Sequence, residues 1–299
     1  MKKRMIAGVL TLLLAVGALS GCSSSGDNGK TIVVGAKGFS ENLIVAELYA
    51  LALEDLGYTV ERQYSLNTNV VHEAIVAGEV DVYPEYTGTS YLNFLGHTDA
   101  QFDADIVYNT VKEEYAEQFS LAALTPSQVN DSTCVVMLRE TAEQYGITNL
   151  SDLQANASQL IWGTYTAQGD DERVENEVLA GIYGPFDYKE FKSIDSSLCW
   201  TALENKEVDA CEGLTTQPQL EDEKYIVLEE DIPCRLPYYL FPVVRQEVLD
   251  ADSEVEPALD AVSAVLDNET IIGLVAKTDL EGEEYEDVAA AFYEENLAK

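Results

Sequence analysis

Between residues 31 and 83 the chain alternates short β-branched runs with amphipathic stretches and leaves little room for loops, a spacing that restricts the possible folds more than any other feature. Thr31-Ile32-Val33-Val34-Gly35 reads as a strand. Ser40 follows and can cap a helix whose apolar positions Leu43, Ile44, Leu48, Leu51 and Leu56 fall at helical spacing, ended by Gly57. Residues 58–62 form the next strand, 70–77 a second helix stopped by Gly78, and 80–83 a third strand. Strand, helix, strand, helix, strand with short turns builds a parallel α/β sheet, because parallel neighbours need a crossover connection and a helix is the usual one. Ligands of such sheets sit on loops at the carboxyl ends of the strands. Lys37 and Gly38 after the first strand, and residues 86–89 after the third, should therefore converge on one edge.

The middle of the chain repeats this grammar. A helix is expected over 105–119, strands over 133–138 and 159–163, helices over 174–182 and 197–205, and a strand over 208–211. These imply a second α/β lobe. Residues 225–228 add a strand, 238–244 read as a strand interrupted by proline, and from Ala258 to Lys299 the chain is helical and acidic, with 281–287 a solvated turn and helix start.

The amino terminus looks like a secretory signal: Met1-Lys2-Lys3-Arg4, an apolar run from Met5 to Leu19, then Leu19-Ser20-Gly21-Cys22. The last four residues resemble a bacterial lipobox, so residues 1–21 are expected to be removed, Cys22 to carry the lipid, and the polar stretch 22–30 to act as a flexible tether. After it, no run of about 20 apolar residues suggests a membrane span. The chain carries a net charge of −37, and losing the signal removes Lys2, Lys3 and Arg4 but no acid. Nucleic acid is excluded as a partner, since phosphate contact needs clustered Lys and Arg. The other four cysteines, Cys134, Cys199, Cys211 and Cys234, allow three pairings if all are bridged. They lack a C-x-x-C pair or a histidine at ligand spacing, so no metal and no cofactor is expected. With two histidines, His72 and His97, and no G-x-S-x-G or H-E-x-x-H arrangement, catalysis is not expected either.

Asp81-Val82-Tyr83-Pro84-Glu85-Tyr86-Thr87-Gly88-Thr89 reads as a short strand stopping at a proline and a glycine-containing turn with two tyrosines. Aromatic faces with acidic and uncharged neighbours suit a small cation, which gains roughly 0.5 to 2 kcal/mol from each ring it meets.

Three segments carry a family resemblance: residues 32–42, 77–89 and 237–245. They resemble the substrate-binding proteins of ABC importers for glycine betaine, choline, carnitine and related osmoprotectants, over almost the whole chain after the signal. The resemblance implies a two-lobe periplasmic-binding-protein fold of type II, with lobe 1 made of residues 31–133 plus 237–299, lobe 2 of 134–236, two hinge strands, and ligand trapped as the lobes close. It also implies a separate permease and ATPase, membrane attachment through the lipid alone, and a monomer. Relatives hold a trimethylammonium group in a tyrosine cage. Tyr86 stands at the first cage position with Thr89 as its polar neighbour, Tyr238 at the last, and Lys37 with Asn42 in the loop that gives polar contacts. Cys134 and Leu214 stand where relatives have tyrosines, Glu212 beside them is a new charge, and Arg173 lies within about one residue of a ligand-binding arginine. Either Trp200, Tyr165 or Tyr239 replaces the missing rings, or the ligand is a different small cationic or ring-containing metabolite. A surface ligand sensor would share the same fold.

Overall fold

The computed structural model describes residues 30–99, 101–165, 179–195 and 198–298. Two five-stranded sheets organise it. The first contains β1 (Thr31–Lys37), β2 (Thr59–Leu66), β3 (Val82–Tyr86), β4 (Leu121–Ala123) and β10 (Leu240–Arg245) in the order β2-β1-β3-β10-β4. The second contains β5 (Thr133–Leu138), β6 (Ile161–Tyr165), β7 (Glu190–Ile194), β8 (Ala210–Leu214) and β9 (Tyr225–Val227) in the order β7-β6-β8-β5-β9. The strand order makes the chain leave the first sheet after Ala123 and return to it at Leu240, so each lobe has its own sheet.

In the first sheet the expected crossovers form. Helix α1 (Ser40–Asp55) joins β1 to β2, helix α2 (Thr68–Ala77) joins β2 to β3, and β1 pairs in parallel with both strands. The near-continuous apolar run of β1 belongs to a strand covered on both faces, whereas edge strand β2 exposes most of its residues. Gly78 closes α2 in the left-handed region, with φ 78°, where only glycine sits without steric cost. Apolar clusters fill both faces of the sheet, one beneath α1 and the carboxyl-terminal helices and one beneath α2 and the helix Ala104–Phe119. Two more cover the faces of the second sheet.

Several local expectations are corrected. Ser40 does not cap α1: Phe39 holds the cap position with extended backbone, and the Ser40 hydroxyl is donated to Asp279 instead. The third strand does not stop at Pro84 but runs to Tyr86. Pro84 lies directly opposite Pro242 in the antiparallel β3–β10 pair. Two residues without N–H groups fit a non-hydrogen-bonded site of the ladder, where neither would have donated to the other. The acidic tail is helical as expected, in three helices, Val255–Ala264, Asn268–Asp279 and Tyr285–Asn296, the second capped by the Asp267 carboxylate accepting from the Thr270 N–H at 2.8 Å. Strands β4 and β7 and the short helices Arg139–Tyr145 and Leu150–Asn156 carry no strong local signal. Of the helix expected over 174–182, residues 179–182 are described and helical, and the expected helix over 197–205 covers Cys199–Glu204.

Cys199 and Cys211 form a disulfide that ties the helix Cys199–Glu204 to β8, while Cys134 and Cys234 are buried free thiols. Among the described residues no helix is long and apolar enough to cross a membrane.

The two chain crossings between the sheets are paired with each other. Asn130 bridges Tyr239, the Asp131 N–H donates to the Tyr238 carbonyl at 3.0 Å, and the Tyr238 N–H donates to the Asn130 side chain at 2.7 Å. Asn268 locks this junction, donating to the carbonyls of Asn130 at 3.2 Å and Thr215 at 3.0 Å.

Candidate ligand-binding cleft

A cleft of about 850 Å³ lies between the sheets, at the carboxyl ends of β1 and β3, with the crossings as its floor. From the first lobe it is lined by Lys37 at the end of β1 and Phe39 beyond it, and by Tyr86 at the end of β3 and Thr89 beyond it. The crossings supply Asp131, Arg235 and Tyr238, and β8 supplies Leu214.

Tyr86 is held from every side. It is only 3% exposed, and its hydroxyl donates to the Glu41 carboxylate at 2.6 Å. Phe39, 41% exposed in the cap position of α1, is stacked with it at a centroid distance of 6.2 Å. The Lys37 ammonium lies 4.8 Å from the ring centre and is itself paired with the fully buried Glu85. One face of Tyr86 thus already carries a protein cation, and Lys37 is committed to Glu85 as well as lining the cleft. Asn42, completely buried, fixes this loop: its side chain accepts from the Lys37 N–H at 2.6 Å and donates to the Pro84 carbonyl at 3.0 Å.

Tyr238 stands on Gly88. A Cβ there would come within 2.7 Å of the tyrosine ring, so this approach requires glycine. Thr87 fixes the approach by donating to the Pro237 carbonyl at 2.9 Å and accepting from the Tyr239 N–H at 3.0 Å. The Asp81-to-Thr89 segment is therefore stitched to the second crossing.

Two carboxyl groups sit beneath the rings. Glu41, in the first turn of α1, is 5% exposed. Burial first, and the charge of Asp131 second, push its carboxyl up to about 8. Asp131 is also raised, by burial, and accepts the Thr216 hydroxyl at 2.8 Å. Arg235 on the far side pairs with Glu230.

The other expected positions are distributed as follows. Cys134 lines an adjoining cavity of about 290 Å³ together with Tyr239, and shares with the cleft the residues Ser132, Thr133, Arg235 and Leu236. Glu212 is half-buried in β8 opposite Val135 and does not line the cleft. Trp200 packs edge-to-face on Tyr225 at 4.7 Å against the cluster around the disulfide, away from the cleft. Arg173 and Cys22 lie outside the described residues, as does the side chain of Tyr165. Phe39, Glu41, Asp131 and Arg235 were not singled out from sequence. Phe39 had a usable signal, an aromatic directly after a strand-end Lys-Gly pair; the other three depend on how the crossings fold back.

The model of the substrate-binding domain of the ABC-type glycine betaine transport system matches residues 30–295. The chain belongs to that family. Among its relatives are the glycine-betaine-binding protein of Pseudomonas aeruginosa, 30% identical with 89% of this chain and 88% of that protein covered, and the carnitine transport binding protein OpuCC of Listeria monocytogenes, 26% identical over 99% and 98%. The solved structure of a glycine betaine/carnitine/choline ABC transporter protein superposes with a TM-score of 0.80 at 20% identity, over 88% of this chain and 98% of that one, a likeness of fold. As a family member the chain is the extracytoplasmic substrate-binding component of an ABC importer and not an enzyme.

Proposed function

We propose that this chain captures a small quaternary-ammonium solute, such as glycine betaine, choline or carnitine, between its lobes and delivers it to a permease and ATPase while tethered to the outer face of the membrane through a lipid on Cys22. The observation that carries the ligand reading is the conjunction in one cleft of Phe39, Tyr86 and Tyr238 with the carboxyl group of Asp131. Aromatic faces and an adjacent carboxylate attract a fixed positive charge that cannot donate hydrogen bonds. Relatives named for glycine betaine and carnitine support the same ligand class. The division into lobe 1 (31–133 with 237–299) and lobe 2 (134–236) is supported by sheet membership, and the Asn130, Thr215 and Asn268 junction is suited to be the hinge.

Melting the purified protein with choline, glycine betaine, carnitine, proline betaine, ergothioneine and basic amino acids tests the proposal. A true ligand at 100 times its dissociation constant stabilises by roughly 2.7 kcal/mol. Stabilisation confined to anionic sugars or peptides would contradict it.

A further inference from the structure

The cleft continues beyond its aromatic end. Phe102, Ser132, Thr133, Arg235 and Leu236 line both the cleft and the adjoining cavity of about 290 Å³, so the two spaces meet along these side chains. Both lobes wall the side cavity. Ala104, the first residue of the helix Ala104–Phe119, stands on one side, Val227 and Leu228 at and just beyond the end of β9 stand on the other, and Pro237 and Tyr239 come from the second crossing. At about 30 Å³ of liquid volume per molecule, the cavity has room for roughly nine waters, which is the space of a short chain.

Its chemistry differs from that of the cleft. Phe39, Tyr86, Asp131 and Tyr238 line the cleft and not the side cavity. Polar groups around the side cavity serve one another: the Ser132 hydroxyl donates to the Leu236 carbonyl at 3.3 Å, the Thr215 hydroxyl donates to the Asn130 carbonyl, and the Arg235 guanidinium pairs with Glu230 at 2.5 Å. Arg235 and Glu230 are the charged residues of this lining, and they balance each other. An ionic group placed there would lose its water without gaining a counter-charge. A neutral chain would lose only its exposure to water, packing against Val227, Leu228 and Pro237.

We propose that the side cavity is a second subsite for the same ligand, and that the ligand is a quaternary ammonium carrying an uncharged chain. The head lies against Phe39, Tyr86 and Tyr238, and the chain runs past Ser132 and Thr133 into the side cavity. The inference rests on the quaternary-ammonium reading and adds to it the length and polarity of the solute's other end. Ala104 and Val227 set the length accepted, because both line the side cavity alone. Enlarging either one fills the space meant for the chain and leaves the residues around the head in place. In Ala104→Phe the cap of the helix is also kept, since Asp103 accepts from the N–H groups of Asp105 and Ile106.

The test is isothermal titration of the purified protein with glycine betaine and with a series that keeps one head group and lengthens a neutral chain: choline, acetylcholine and butyrylcholine. Wild type should bind butyrylcholine about tenfold more tightly than choline, from the added apolar area buried. Ala104→Phe should bind choline within about twofold of wild type, which also shows that it is folded, and should lose about tenfold or more for butyrylcholine. Val227→Phe enters the cavity from the other lobe and should do the same. Wild-type affinity that falls with chain length, or binding of glycine betaine with no binding of choline or its esters, would overturn the subsite and leave the quaternary-ammonium reading intact; neither outcome depends on a variant. Equal effects of the filling substitutions on choline and butyrylcholine, or no effect on either, would likewise overturn the subsite. Binding of none of the four solutes would overturn both readings.

Discussion

On the wall of the cleft formed by β1 and β3, Lys37, Glu41, Glu85 and Tyr86 are each at least nine-tenths buried and hold one another through an ion pair, a phenol-to-carboxylate bond and a cation over an aromatic face. The opposite wall, at the ends of β5 and β8, presents Leu214, exposed at 39%, and Cys134 in a side cavity, with Arg235 paired to Glu230 beside them. One wall is preorganised by charges that are costly to leave unpaired, whereas Leu214 on the other stands partly open to solvent. That asymmetry makes Leu214 more replaceable than the mutually bonded Lys37, Glu41, Glu85 and Tyr86.

The sharpest way to break the comparison is Glu85→Ala. It leaves the Lys37 ammonium, 4% exposed, without its partner, and such losses cost about 3 to 5 kcal/mol. Leu214→Ala, on the other wall, should change stability by less than about 0.5 kcal/mol. Denaturant unfolding of both variants checks the pair, and similar losses would erase the distinction.

A pH scan separates the lobes more gently. His72, in the core of the first lobe, stacks on Phe94 with centroids 3.8 Å apart, and burial lowers it to about 4. Its protonation is then favoured in the unfolded chain. Stability it contributes while neutral is present above about pH 6.5 and lost as pH falls toward 4, by up to about 3 kcal/mol. Wild type should therefore lose stability relative to His72→Asn between pH 7 and 4.5, as read by chemical denaturation at each pH. A constant difference would remove His72 as the cause.

How much of this could be read in the sequence divides along the same line. The alternating strands and helices of the first lobe follow from local periodicity, and Lys37, Tyr86, Thr89, Tyr238 and Leu214 could be named as candidates and do line the cleft. What escaped depends on partners far along the chain. Pro84 read as a stop because its counterpart, Pro242, is remote in sequence. Ser40 read as a cap because Asp279 was not in view. Asp131 and Arg235 enter the cleft only because the two crossings pair beside it. Glu41 carries no local signal, because its partner, the Tyr86 hydroxyl, lies 45 residues along the chain.

The most direct test of the account is to compare Tyr86→Leu with Leu214→Ala in titrations with whichever quaternary-ammonium solute stabilises the wild type. Losing an aromatic face against a cation costs about 0.5 to 2 kcal/mol, so Tyr86→Leu should weaken binding by roughly 2- to 30-fold, while Leu214→Ala should stay within about twofold. Unchanged affinity in Tyr86→Leu together with a large loss in Leu214→Ala would place recognition on the wrong wall and contradict the account.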